Sequence, residues 1–176
     1  EVAGVEVAGL SESAREVGGD YYDHIPLGAD RVLLVIADVS GKGVPAALLM
    51  SAFRASLMSQ DTDQTGPAEI ASRLNEFLHR SVEPGKFVTA FVGFLEGRTG
   101  RLVYANAGHN PPALLRADGR VEWLSAGGLI LGILAGSPFE SGEVTLEPGD
   151  LLTLYTDGVT EGADASGDLW GEERLV

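Results

Sequence analysis

The stretch Val32-Leu-Leu-Val-Ile-Ala37, running directly into Asp38-Val-Ser-Gly-Lys-Gly43, limits what this chain can fold into more than any other. Residues 31–37 are nearly all β-branched or aliphatic, which predicts a strand covered on both faces. A carboxylate at the end of such a strand either meets a partner or is costly to bury. Asp and Gly also end strands as plain turn residues, and for one site alone that reading stands level with a chemical one. Two further stretches carry the same signature, Val17-Gly-Gly-Asp20-Tyr-Tyr-Asp23 and Leu151-Leu-Thr-Leu-Tyr-Thr-Asp157-Gly158. Three carboxylates brought within roughly 5 Å repel pairwise by about 3 kcal/mol at an effective dielectric near 20, a cost that a divalent cation removes. Oxygen ligands, in a chain with no Cys and 3 His, point to magnesium or manganese rather than zinc.

A length of 176 residues suits one domain able to bury a sizeable core. The absence of Cys removes disulfides and thiol chemistry and is compatible with a reducing, cytoplasmic setting. A net charge of -14 disfavours nucleic acid or an anionic membrane as partner. No apolar run is long enough to insert into a membrane, and no basic-then-apolar leader is seen, so neither insertion nor secretion is expected of this segment. The chain starts at Glu1 and is expected to be part of a longer one.

Residues 2–10 and 17–25 alternate in the manner of strands. In the second, Asp20, Tyr22 and His24 share a face and Asp23 points away, so Asp20, preceded by Gly18 and Gly19, is the expected ligand and His24 a surface residue. Val44-Pro45 opens a helix reaching Met58. Its two apolar stripes, Val44, Leu48, Ala55, Met58 and Ala46, Met50, Phe53, Leu57, predict a helix sandwiched on two sides, with Met50 and Met58 as core filler. A second helix begins at Pro67 and presents Ile70, Leu74, Phe77 and Leu78. Residues 87–95 with 102–106, and 113–115 with 121–124, read as hairpins. Residues 127–132 form either a flap or a buried crossing, and the turn at 147–150 leads into a strand carrying Asp157. Gly41-Lys42-Gly43 lacks the surroundings of a phosphate-cradling P-loop, although Lys42 can still meet an anionic substrate. His109 has no nucleophilic Ser elbow to serve, which argues against a Ser-His-Asp hydrolase.

Taken in order, Gly18-Gly-Asp20-Tyr-Tyr-Asp23, Ala37-Asp-Val-Ser-Gly-Lys-Gly43 with Val44-Pro-Ala-Ala47, Phe87-Val-Thr89, Tyr104-Ala-Asn-Ala-Gly-His-Asn-Pro-Pro112 and Tyr155-Thr-Asp-Gly-Val-Thr-Glu161 resemble the SpoIIE/RsbU-like branch of the metal-dependent, protein phosphatase 2C type Ser/Thr phosphatases. The resemblance implies an α+β fold, a four-layer α/β/β/α sandwich of two mostly antiparallel sheets flanked by helices. It also implies two manganese or magnesium ions between the sheets. Asp38 would bridge them, Asp20 and the Val39 carbonyl would hold the first and Asp157 the second, so that these aspartates act through a metal-activated water. Lys42 and His109 would lie on the substrate side. Where the related eukaryotic phosphatases place a His two residues after the bridging Asp, this chain has Ser40. The family's domain usually continues into a further helix and a strand bearing an Asp pair, so residues 1–176 read as a single phosphatase domain lacking that C-terminal part.

The implied activity is hydrolysis of phosphoserine or phosphothreonine on a STAS-domain anti-anti-sigma factor in bacterial partner switching, under an attached or associated sensor domain. A homodimer is compatible with this. Two alternatives compete: a phosphatase-like binding module without turnover that regulates by protein contact, and a two-metal nuclease, which the charge disfavours.

Overall fold

A computed structural model of the chain describes residues 4–12, 18–83, 85–163 and 167–175. Strands β1 (Tyr21–Pro26) and β2 (Arg31–Val39) precede helices α1 (Val44–Met58) and α2 (Pro67–Ser81). There follow β3 (Val88–Glu96), β4 (Arg101–Ala107), β5 (Ala113–Leu115), β6 (Val121–Trp123), β7 (Gly127–Gly128), β8 (Gly142–Thr145), β9 (Leu151–Thr153) and the short helix α3 (Asp157–Thr160). A 6-stranded sheet is ordered β1-β2-β3-β4-β7 with β8 also on β4, and a 3-stranded sheet is ordered β6-β5-β9. Among these strands only the β4–β7 pairing is parallel.

The apolar run in β2 is buried on both sides because its alternate residues serve two cores. Leu33, Val35, Ala37 and Val39 pack with Ala46, Met50, Phe53 and Leu57 of α1 and with Ile70, Leu74 and Leu78 of α2. Val32, Leu34 and Ile36 pack with Phe91, Leu95, Leu102, Tyr104 and Leu124, and Leu152 and Leu154 at β9 close that layer. Helices, large sheet and small sheet are thus successive layers, in accord with the two-sheet α+β arrangement expected from the sequence. Pro stands in the first turn of both long helices, and α2 adds Glu69 in its first turn and His79 and Arg80 in its last, each sign suited to the helix dipole.

Several local expectations are corrected. Of the two apolar stripes on α1 only one is covered: Val44, Leu48 and Met58 are 63%, 67% and 50% exposed, so α1 is not sandwiched among the described residues and Met58 is not core filler. On α2, Phe77 lies at the margin, and Ala71 and Asn75 complete the inner face beside Ile70, Leu74 and Leu78. Residues 4–12 contain no strand, although Val5 packs against the inter-sheet core, and residues 2 and 3 and Val17 lie outside the described residues. Asp20 stands just ahead of β1 rather than within it, and Asp157 opens α3 rather than ending a strand. The 127–132 segment is a partly buried crossing: Leu131 is fully buried and exchanges backbone hydrogen bonds with Val88, while Leu129 is 56% exposed. Asn75 ties this segment to α2, its Nδ2 donating to the Leu134 carbonyl at 2.9 Å and its Oδ1 accepting from the Gly132 N–H at 2.9 Å.

Phe53 is fully buried and meets Tyr21 edge to face with ring centroids 6.2 Å apart. Phe53→Ala is therefore expected to cost about 3–5 kcal/mol in urea unfolding, and Leu48→Gln, on the open stripe, to stay within about 0.5 kcal/mol.

Candidate active site

Three strand ends meet where the two sheets adjoin. Asp38, next to last in β2, lies opposite Thr89 of β3 in the antiparallel register. The loop that follows turns sharply through Gly41 and Gly43, at φ 107° and 78°, backbone that favours glycine. Ser40 fastens this loop to β3, its N–H donating to the Phe87 carbonyl at 3.0 Å and its Oγ accepting from the Phe87 N–H at 2.9 Å. Ser40 is therefore a structural clasp of this loop.

Asp20 approaches from the segment before β1. A side chain on Gly19 would stand 3.1 Å from the Val39 carbonyl oxygen and 3.4 Å from Asp38 Oδ1, so a bare backbone is what lets this segment close on Asp38. Asp20 accepts a hydrogen bond from Thr156 Oγ1 at 3.2 Å, and Thr156 is the N-cap residue of α3, directly before Asp157. Asp38 is pushed up to about 7, first by burial, then by the adjoining Asp20 carboxylate and the nearby charge of Asp157, while the Val39 N–H draws it back. Carboxylates in hydrogen-bonding reach of each other share a proton or take up a cation.

His109 sits behind these acids, 4% exposed. Its Nε2 faces the Tyr155 carbonyl at 3.1 Å, which requires a proton there, so Nδ1 accepts from Thr89 Oγ1 at 2.9 Å. Asn106 holds the backbone on both sides, accepting from the His109 N–H at 2.7 Å and donating to its carbonyl at 3.0 Å. Burial draws His109 down to about 4, against the Tyr155 carbonyl and the charges of Asp157 and Asp20. The expectation of His109 on the substrate side is thus corrected: both ring nitrogens are engaged inside the protein, and the neutral ring braces the strand ends.

Asp20, Asp38, the Val39 carbonyl and Asp157 share one region, whereas Asp23 lies elsewhere, accepting from Tyr21 Oη at 3.0 Å and pairing with Arg54 at 3.8 Å. His24 is an exposed residue of β1. Lys42 is exposed at the mouth of the loop. Thr89, Asn106 and Thr156 carry no role in the sequence reading; their parts emerge from strand register and from contacts distant in the chain. Among the described residues no three His, Cys, Asp or Glu side chains are placed to enclose an ion as they stand. The donor set nonetheless fits a hard divalent cation, being all oxygen, with two carboxylates crowded beside an approachable backbone carbonyl.

The family model for stage II sporulation protein E matches residues 28–176. The chain belongs to the SpoIIE family. It is 33% identical over 158 residues to the phosphoserine phosphatase RsbU of Bacillus subtilis, covering 89% of this chain and 47% of that protein. It is 32% identical over 199 residues to protein IcfG of Synechocystis sp., covering 97% of this chain and 31% of that one. Among solved structures, the RsbU and RsbW domains of a Mycobacterium tuberculosis protein superpose with a TM-score of 0.74 at 34% identity, over 92% of this chain and 44% of theirs. The chain thus spans less than half the length of these SpoIIE-family relatives.

Two opposed pH effects follow in chelator-treated protein. His109 titrates near 6.5 when unfolded and about 4 when folded, so between those values only the unfolded state takes the proton, and stability falls as pH drops. Asp38 shifts the other way, from 3.8 to about 7, so its folded form keeps a proton the unfolded form has lost, and stability falls as pH rises through that range. Asp38→Asn removes the second effect. Urea unfolding of this variant is expected to show the His109 loss unmasked, about 3 kcal/mol between pH 6.5 and 4, with a shallower profile for the parent.

Proposed function

We propose that this domain is a metal-dependent phosphoprotein phosphatase acting on phosphoserine or phosphothreonine, with a STAS-domain anti-anti-sigma factor as substrate in partner switching and a sensor domain controlling it. The reading is carried by one observation: the Asp20 and Asp38 carboxylates crowd together beside the Val39 carbonyl, with Asp157 near enough to raise Asp38 further. The name of the Bacillus subtilis relative, a phosphoserine phosphatase, supports the same chemistry. Manganese or magnesium, two ions in the complete domain, would be held by Asp38, Asp20, the Val39 carbonyl and Asp157. Bound there, such ions supply the charge that acidifies water and neutralises phosphoryl oxygens.

The chain's own residues do the rest by position. Gly19 admits the Asp20 segment to Asp38, and the Ser40–Phe87 clasp fixes the loop that presents the Val39 carbonyl. Thr156 orients Asp20, and neutral His109 joins Thr89 to the Tyr155 carbonyl so that Asp38 and Asp157 keep their spacing. The Ser40 and Thr156 hydroxyls are engaged with the Phe87 N–H and with Asp20, and the proposed attack is by water rather than through a covalent phosphoenzyme.

The competing reading, a binding module without turnover, draws on the open placement of the three aspartates. Release of inorganic phosphate from a phosphoserine protein, followed with and without manganese, separates the two. Manganese-dependent release is expected, and Asp38→Asn is expected to lower it at least ~100-fold while the domain stays folded, since even residues behind metal ligands cost about 10–100-fold. Equal manganese affinity in parent and Asp38→Asn, measured by calorimetry, would remove Asp38 from the ligand set.

A further inference from the structure

Lys42 and Lys86 are the only lysines of a chain whose net charge is -14. Every ion pair among the described residues uses an arginine, with Arg31, Arg54, Arg73, Arg80, Arg98, Arg101, Arg116 and Arg120 each facing a carboxylate. Arg174 lies over the Trp170 ring. Neither lysine has a carboxylate within 4.0 Å or a side-chain hydrogen bond among those residues. Eight arginines are thus paired with carboxylates, and among the described residues the two ammonium groups are cations free to act on something outside the chain.

Both stand at the rim of the aspartate site. Lys42 belongs to the loop that leaves Asp38, and Lys86 directly precedes Phe87, the residue clasped in both directions by Ser40. That clasp brings the Lys86 ammonium over the loop, with Nζ 3.3 Å from where a Cβ on Gly41 would be. Lys42 is the next residue. Lys86 is half-buried and Lys42 exposed, one cation at the wall of the rim and one at its edge. Since Asp38 faces Thr89 across β2 and β3, the adjoining ends of these two strands that lead to Lys42 and from Lys86 also carry Asp38.

We propose that Lys42 and Lys86 together seat the phosphoryl dianion of the substrate, an inference that rests on the phosphatase reading above and extends it to Lys86. A dianion approaching Asp20, Asp38 and Asp157 in so acidic a chain is repelled, and two unpaired ammonium groups beside those acids counter that repulsion. Lysine is well matched to this role, because it is a mobile point charge with three donors that can follow the group in and release it as free phosphate.

The proposal is tested by calorimetric titration of inorganic phosphate, with manganese present, into the parent, Lys42→Met, Lys86→Met and Lys86→Arg, alongside kinetics on p-nitrophenyl phosphate and on phosphoserine peptides with neutral or acidic flanks. Each Met variant is expected to weaken phosphate about tenfold, as loss of one charge-assisted hydrogen bond does. KM for p-nitrophenyl phosphate should rise in parallel, with kcat within about twofold. Manganese affinity should hold, and Lys86→Arg should restore most of the phosphate binding. A parent that takes up no phosphate overturns the proposal, as does an unchanged phosphate Kd in Lys86→Met or a loss that follows loss of manganese. A KM effect confined to acidic-flank peptides also overturns it, since the lysines would then read the flanks. Lysine-dependent phosphate binding without turnover of any substrate leaves the seat standing and removes the phosphatase reading.

Discussion

Two carboxylates, Asp20 and Asp38, stand in hydrogen-bonding reach of each other at the end of a strand buried on both faces, and like charges so placed repel unless a proton or a cation lies between them. Several nearby features serve to hold that contact in place. Gly19 removes the side chain that would keep the segments apart, Ser40 clasps the loop to β3, and Thr156 steadies Asp20 from the far side. The double burial of β2 supplies the rigidity: with one face on α1 and α2 and the other on the inter-sheet core, the strand has no direction in which to relax. Electrostatic stress is thus retained at one point by packing spread over two layers.

His109 shows how the sheets are made to share a site. Thr89 belongs to the large sheet, whereas Tyr155 follows β9 of the small one, and a single neutral imidazole spans them, one nitrogen accepting and the other donating. A protonated ring would offer a donor on both sides. Burial, which keeps the proton count at one, is therefore part of the bracing.

Much of this was legible in the residues. The double-faced burial of β2, the helices with Pro in their first turn and both hairpins follow from local pattern, because apolar alternation, Pro and Asp-Gly punctuation act over a few residues; that Asp20, Asp38 and Asp157 come near each other does not, and was expected only from the family resemblance. Val44, Leu48 and Met58 misled because an apolar stripe states what a helix can cover, not that a cover is present. Phe77 lies at the margin for a different reason: Asn75, given no place in the sequence reading, is buried to satisfy the backbone at Gly132 and Leu134, far away in the chain. His109 was misplaced toward substrate because nothing local reveals that its partners are Thr89 and the Tyr155 carbonyl. Register and long-range partners are set by tertiary packing, which single-residue propensities do not encode.

The Phe91–Tyr104 stack, with centroids 5.3 Å apart, lies in the layer between the sheets, with Asp38 at the end of β2 on one side of it and Asp157 just after β9 on the other. The carboxylates of Asp38 and Asp157 therefore work like the jaws of a caliper whose hinge is greasy side chains rather than a loop. Any slip of one sheet across the other opens or closes the jaws before a single backbone ladder is broken. A cation held there, as proposed above, would make its occupancy a gauge of sheet alignment.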